Sequence, residues 1–268
     1  MRLALPAVRL PSLRYLLGAI CLYFLFLLIT APAWIIVWAL PKLTGMPITI
    51  QDSRGSLWRG EFSGVSVTLP TGQTIQLDRI QWQLKPLNLL RAEAAAQVEV
   101  SGSLLQGRGV VAKGVLGGIK LRDFSATAPA SVLSIAVPAL DIWKPGGTLD
   151  FKTADFNYAG VNSVGKASAV WQKASLALSA VKPLGEYNFA VDANNGALDY
   201  QLTTVSGALQ LEGKGRWAEK NPPSFLGSAR AQANYASQLA DLLRLFGPVD
   251  ASGVVRLSYT PQTPTPTQ

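Results

Sequence analysis

Two patterns of apolar and polar residues divide the chain. Positions 15–41 hold 27 residues without a charged side chain, which as one continuous helix would measure ~40 Å and cross a ~30 Å hydrocarbon core. Between positions 55 and 259, short runs alternate apolar and polar residues with period two, as β-strands do. The patterns therefore predict a transmembrane helix over 15–41 and a β-domain over 42–259.

One predicted strand changes phase in its middle. Ile75 and Leu77 lie on one face, but from Ile80 onward the apolar residues fall on the opposite parity. One extra residue in a strand produces such a switch, because it turns every later side chain to the other face. We therefore expect a β-bulge at Asp78-Arg79.

The clearest predicted hairpin lies in the second half of the chain. Apolar residues alternate over 187–191 and again over 198–202, and Asn194-Asn195-Gly196 stands between the two runs. Asn and Gly tolerate the positive φ angles that tight hairpin turns need. The sequence predicts two antiparallel strands joined at this turn.

Helical patterns in the body are few and short. A single turn is expected over 86–90 and a short helix within 129–139, and the best helix candidate covers 237–246, with Gly247 as its stop. The predicted fold is all-β: an elongated, twisted antiparallel sheet or half-barrel, with one N-terminal transmembrane helix and a few short capping helices. Its period leaves open whether the sheet closes, because a packed core and a half-barrel lining share the same alternation.

Charges and aromatic residues flank the apolar N-terminal segment. Arg14 precedes it, Lys42 is the first charge after it, and Trp34 and Trp38 lie near its far end. Such residues favour the membrane–water boundary, so we expect these four side chains there. A cleaved signal peptide ending near 31–33 is the alternative, but its apolar region is normally only ~7–15 residues long.

The arrangement of charge also predicts the topology. Residues 1–14 carry basic side chains and no acid, which favours a cytoplasmic N-terminus. In a bacterium with two membranes, the β-domain 42–259 would then be periplasmic and the anchor would sit in the inner membrane as a single pass. The Pro/Thr-rich residues 260–268 are expected to form a disordered tail, and a weak division of the β-domain near 159–160 stays open.

Composition excludes several kinds of catalytic and metal site. The chain has no histidine and one cysteine, which rules out Ser-His-Asp and Cys-His catalysis, histidine metal ligands and an intrachain disulfide. Carboxylate pairs at 150/155 and 192/199 remain, but acids on strands and turns are usually solvated. Half of the net charge of +8 lies in residues 1–42 and the rest is spread over the body, so no nucleic-acid partner is expected. We predict no catalytic residue, no cofactor and no metal, and hence no enzyme.

Short motifs along the chain resemble a known family. Gly-x-Leu-Trp-x-Gly at 55–60 soon follows the apolar segment, a tryptophan strand at 82 leads into a Pro-Leu turn at 86, and a helix-then-strand pattern covers 239–257. This arrangement is similar to that of protein N of bacterial type II secretion systems. The residues that carry the resemblance are Gly55, Leu57, Trp58, Gly60, Trp82, Pro86, Gly247 and Gly253.

The resemblance implies an inner-membrane component of the machinery that exports folded proteins across the outer membrane. It implies contacts with other secretion subunits, of the inner-membrane platform or the periplasm, and no catalytic residues. The alternative is a lipid-handling protein of the AsmA-like kind, which also carries a β-body on an anchor. The two hypotheses differ in whether inward residues such as Val98, Leu121, Phe189 and Val191 enclose a dry core or line an open trough.

Overall fold

The computed structural model describes five stretches of the chain: residues 13–38, 47–69, 72–114, 118–219 and 221–259. Lys42, residues 1–12 of the predicted cytoplasmic segment and the predicted tail at 260–268 lie outside the described residues.

Thirteen strands form one antiparallel sheet in which every strand pairs with its neighbours in sequence order. The strands are β1 (Ile48–Gly55), β2 (Arg59–Thr68), β3 (Thr74–Leu84), β4 (Glu93–Ser101), β5 (Gln106–Gly114), β6 (Ile119–Pro129), β7 (Gly146–Tyr158), β8 (Val164–Ser175), β9 (Gly185–Asn194), β10 (Ala197–Gly207), β11 (Leu209–Ala218), β12 (Asn221–Ala231) and β13 (Val254–Tyr259). The strand order runs from β1 to β13 without a crossover, so these two strands are the sheet's edges. The predicted antiparallel sheet is confirmed, and pairing continues through β7 and β8, on either side of 159–160.

Two helical segments precede β1, and short helices lie between later strands, close to the positions 86–90, 129–139 and 237–246 that the sequence predicted. They are α1 (Leu13–Ile29), a helical segment at 34–38, a 3-10 helix at Pro86–Arg91, α2 (Val132–Ala136), 3-10 helices at Pro138–Ile142 and Ala233–Tyr235, and α3 (Ala236–Phe246). In α3 the residues Leu239, Leu242 and Leu243 are buried on one face, and the helix ends at Gly247.

The apolar N-terminal segment is interrupted, which differs from the continuous helix expected over 15–41. α1 ends at Ile29, and the next residues extend along the sheet: the N–H of Leu57 donates to the carbonyl of Ala31 (2.7 Å), and the N–H of Ala33 donates to that of Gly55 (3.3 Å). These backbone bonds compete with helix formation at that point. None of the helices within the described residues is both long enough and apolar enough to traverse a bilayer.

The predicted hairpin is confirmed as β9 and β10. Val191 pairs with Tyr200 and Phe189 with Leu202, and the turn residues Asn195 and Gly196 both have positive φ, at 23° and 101°. Two successive positive φ angles match the twist of the flanking strands, which explains the Asn-Gly sequence.

The predicted bulge at Asp78-Arg79 is wrong, although the change of phase is real. Ser63 pairs with Arg79 and Val65 with Leu77, so the register between β2 and β3 is the same on both sides. The neighbouring β2 changes phase at the same level, because Phe62 and Val65, three positions apart, are both buried. Gly64 between them has φ +61°. Because β2 and β3 change phase at the same level, neither strand contains an extra residue relative to the other.

Candidate functional site

The register places apolar side chains from successive strands on one face of the sheet. Directly opposed residues of antiparallel strands point to the same side. Val191 is opposed to Tyr200, Tyr200 to Gly215, Gly215 to Phe225, and Phe225 to Tyr259. Trp82 and Val98 continue this row at the N-terminal end of the sheet. We call this side the apolar face.

The opposite side of the sheet is polar. Lys166 Nζ lies 2.7 Å from Asp192 Oδ2, and Arg216 Nη1 lies 3.4 Å from Asp199 Oδ1. The hydrogen bond and charge of Asp192 raise the pKa of Lys166. Asp192 and Asp199, one of the two carboxylate pairs named from the sequence, are opposed across the β9–β10 pair. Each of the two acids has its own cationic partner. They form surface ion pairs on the polar side.

A hydrophobic cap covers the C-terminal end of the apolar face. The buried α3 leucines at 239, 242 and 243 pack on Leu209, Ala229 and Val255 of the last three strands. Trp143 also contacts this cluster, and its ring centroid lies 5.4 Å from that of Phe246. This C-terminal cap is a closed core.

A second cap covers the N-terminal end. Ala33 is 2% exposed and packs in one cluster with Phe62, Val65, Leu77 and Trp82. Partly buried residues of the helical segment at 34–38 join the same cluster. The extended residues 31–33 therefore bring the chain across the first strands and close that end of the face, forming the N-terminal cap.

Between the caps the apolar face borders an open groove of about 940 Å³. Six neighbouring strands, β6 to β11, contribute to it, so the sheet curls around the space. The apolar-face residues that border the groove are Phe124, Thr153, Ala167, Val191, Tyr200 and Gly215. The residues between them also border it, but their side chains alternate to the polar side.

The groove answers the question that the sequence left open. Of the inward residues named from sequence, Phe189 is 38% exposed, while Val98, Leu121 and Val191 are half-buried. A dry core would bury all of them. The middle of the apolar face is therefore an open trough.

The ring of Tyr200 lines the groove, and two further aromatic rings lie beside it on the apolar face. The rings of Phe189 and Tyr200 have centroids 6.1 Å apart, and those of Tyr200 and Phe225 are stacked at 6.3 Å. A Cβ atom on Gly215 would overlap the Tyr200 ring, and one on Gly213 would overlap the Phe225 ring. The two glycines of β11 thus let the rings lie flat, which keeps the trough shallow and open.

Polar side chains on the apolar face bond within the protein. Thr153 Oγ1 donates to the carbonyl of Lys166 (2.7 Å), Tyr187 Oη to that of Leu209 (2.9 Å), and Tyr200 Oη to that of Ser224. Burial raises the pKa of both Tyr187 and Tyr200, with a further contribution from Tyr259 for Tyr200. These phenols are neutral at physiological pH.

The Gly-x-Leu-Trp-x-Gly motif forms the turn between β1 and β2, and it meets the tryptophan of β3. Trp82 Nε1 donates to the carbonyl of Leu57 (3.1 Å), and the N–H of Leu84 donates to that of Trp58 (2.7 Å). Gly55 has φ +95°, and a Cβ on Gly60 would lie 2.5 Å from the Trp82 ring. The motif is therefore a structural corner against which Trp82 and residues 31–33 pack.

The remaining motif residues lie elsewhere in the fold. Pro86 begins the 3-10 helix after β3. Gly247 ends α3 and lies close to the Val255 side chain, while Gly253, with φ +76°, is in the turn before β13. The structure thus brings the first five motif residues together and places the other three at helix ends and turns.

The residues predicted for a membrane interface are described in part. Trp34 and Trp38 are 61% and 63% exposed on the helical segment that follows the interruption. Arg14 lies in α1. These three residues thus lie on two separate helical segments.

No group of three or more potential metal ligands occurs among the described residues. The feature that sequence reasoning left undecided is the open groove, which depends on the curl of the sheet and the position of its caps. The class that emerges is an open antiparallel β-sheet protein whose apolar face is capped at both ends.

Comparison with known proteins identifies the family. The family model described as type II secretion system (T2SS), protein N matches residues 46–258. The chain is also 25% identical over 250 residues to the type II secretion system protein N of Pectobacterium carotovorum subsp. carotovorum, an alignment that covers 88% of this chain and 92% of that protein. The chain therefore belongs to the type II secretion system protein N family. No solved structure matches it.

Proposed function

We propose that the protein is an inner-membrane component of a type II secretion system, exporting folded proteins across the outer membrane. It acts through protein–protein contacts of a periplasmic β-domain and performs no catalysis. The observation that carries the proposal is the family match over residues 46–258, which runs from the start of the sheet into its last strand.

The proposed anchor is the apolar N-terminal segment, with residues 1–14 in the cytoplasm. Support comes from its 27 uncharged residues and from α1, which carries no charged side chain after Arg14. Large apolar side chains of α1 face outward, with Leu22 68% and Phe26 62% exposed. A surrounding lipid bilayer would cover these apolar side chains.

The proposed contact with other subunits is the edge strand β13. It pairs with β12 on one side, and on the other side the described residues provide only the Val249–Val255 bridge. Arg256 is its single charged residue, whereas edge strands that must stay unpaired usually carry several charges or prolines. A strand from another subunit could extend the sheet here through main-chain hydrogen bonds.

Photocrosslinking in intact cells tests this proposal. A photoreactive residue replaces Tyr259 on the edge, and a matched chain carries it at Val205 on the interior strand β10; these residues are 58% and 60% exposed. We expect adducts with other secretion subunits from position 259 and few from position 205. Equal yields from both positions, or none from 259, would contradict the edge contact.

A deletion strain tests the secretion role itself. Loss of the gene should abolish or reduce the appearance of exported proteins in the medium, and the full chain should restore it. Reporter fusions at each end of the apolar segment check the topology. Normal export without the gene would contradict the proposed function.

A further inference from the structure

We propose that the groove between the two caps is a binding site for an acyl chain of a membrane phospholipid. The proposal concerns the middle of the apolar face, whereas the secretion role was assigned to the sheet edge. For the source of the lipid it rests on the proposed membrane anchor. The binding itself does not depend on any secretion subunit.

Backbone pairing argues for a hydrocarbon occupant. β6 to β11, which border the groove, each have a hydrogen-bonded strand on both sides. Apart from irregular stretches of the β5–β6 and β7–β8 ladders, their N–H and C=O groups are engaged in strand pairing, so a peptide lying in the groove would find few main-chain partners. Buried backbone groups without partners are costly. An acyl chain has no such groups to satisfy.

Side-chain chemistry points to the same occupant. The polar atoms that the apolar face brings to the groove, Thr153 Oγ1 and Tyr200 Oη, already donate to backbone carbonyls. Two of the six charged residues that border the groove, Lys166 and Asp192, pair with each other on the polar side. A ligand in the groove thus meets aromatic and aliphatic carbon, and methylene groups gain free energy there by leaving water.

The dimensions of the groove also suit a lipid chain. Its volume of about 940 Å³ lies within the ~300–1,000 Å³ of typical ligand sites. Phe124, Val191 and Tyr200 line it on the apolar face, and the rings of Phe189 and Phe225 lie next to that of Tyr200. It lies between the two caps, which close the apolar face over the first and the last strands.

Site-specific crosslinking of the full chain in native membranes tests the proposal. A benzophenone derivative of phenylalanine replaces Phe189, which lies two positions before the groove residue Val191 on the apolar face and next to the ring of Tyr200. The control position is Leu226 on the polar side, which is 67% exposed against 38% for Phe189. Random encounters with lipid would therefore label position 226 more strongly, whereas a groove site labels position 189. Mass spectrometry of the intact protein identifies the adduct.

The expected result is an adduct of phospholipid mass at position 189, at several times the yield at position 226. An adduct with another protein or with a second copy of the chain at position 189 would overturn the proposal. Equal or lower lipid labelling at 189 than at 226 would also overturn it. These lipid adducts are read separately from the protein adducts at Tyr259, so either proposal can fail alone.

Two alanines on adjacent strands give a matched blocking test. Ala167 faces the groove opposite Val191, whereas Ala190 is opposed to Ser168 on the polar side. Ala167→Glu should lower the lipid adduct at position 189 about tenfold, because a carboxylate displaces methylene contacts. Ala190→Glu should leave it unchanged. If Ala167→Glu lowers the protein level, Ala167→Phe fills the same space without charge and should block equally. Unchanged labelling in the folded blocking variants would contradict a groove site.

Discussion

The C-terminal end and the middle of the sheet present the same apolar face to different surroundings. At the C-terminal end, α3 covers the face so completely that Leu239 and Val255 are 0% exposed. In the middle, Phe189 and Val191 have the same alternation, but Phe189 is 38% exposed and Val191 borders an open groove. The difference lies outside the strands, in whether a later helix folds back over them. Strand pattern thus determines the face, and the caps determine what is core.

The largest expected difference comes from removing a side chain of the C-terminal cap. Leu239→Ala should lower the free energy of unfolding by about 3 kcal/mol, because it leaves a cavity in a closed core. Leu245→Ala on the same helix, where the side chain is 58% exposed, should change it by less than about 0.5 kcal/mol. Urea denaturation followed by tryptophan fluorescence measures both. Equal effects would mean that α3 does not cover the sheet.

The N-terminal cap allows a similar comparison between two tryptophans. Trp82→Phe removes the indole N–H that bonds the Leu57 carbonyl and should cost about 2 kcal/mol in unfolding free energy. Trp217→Phe alters a ring that is 37% exposed and should cost less than about 1 kcal/mol. Thermal and urea unfolding of the two variants check the order. A larger loss for Trp217 would contradict the role of the motif corner.

One substitution made in both regions sharpens the comparison further. Val255→Thr buries a hydroxyl in the closed cap and should cost roughly 1–3 kcal/mol. Val191→Thr places the same hydroxyl at the open groove, where water can bond it, and should cost less than about 0.5 kcal/mol. Denaturant midpoints of the two variants give the answer. Similar losses at both positions would show that the groove is closed.

The smallest expected effect concerns acid stability of the turn before β13. Hydrogen bonds from the Ser252 hydroxyl and the Val254 N–H hold the pKa of Asp250 below its usual range. A lowered folded-state pKa adds stability above the unfolded value of ~4, and this contribution disappears as pH falls through the folded pKa. Asp250→Asn should flatten this acid dependence and Ser252→Ala should reduce it. Unfolding midpoints between pH 5 and 3 measure this acid dependence. An unchanged pH profile in both variants would contradict a contribution from the Asp250 carboxylate.

Much of the fold was predictable from local pattern. The Asn-Gly turn and the apolar stripe of α3 each depend on residues close in sequence, so the hairpin and the helix could be predicted. The break after Ile29 could not, because it depends on backbone bonds from 31–33 to the distant turn at Gly55. The matched phase change at Gly64 was missed for the same reason, since one strand alone does not show that its neighbour changes as well.

The sequence predicted the apolar residues of the candidate site but not whether the site is closed or open. The alternation at Phe189 and Val191 marks a face that avoids water, yet the same period serves a dry core and an open trough. Which of the two forms depends on the curl of six strands and on where the caps end. Gly213 and Gly215 offered a weak signal, because glycine inside a strand often marks close approach of another group.

Accessibility of the groove tests most directly the claim that the apolar face is capped at its ends and open between them. Single cysteines replace Val191 in the groove, Leu242 in the C-terminal cap and Leu226 on the polar side, in a Cys21→Ser background of the full chain held in an amphipathic polymer. Maleimide labelling should be fast at 191 and 226 and slow at 242, and added phospholipid vesicles should slow position 191 alone. Labelling at 191 as slow as at 242 without lipid would contradict the open groove.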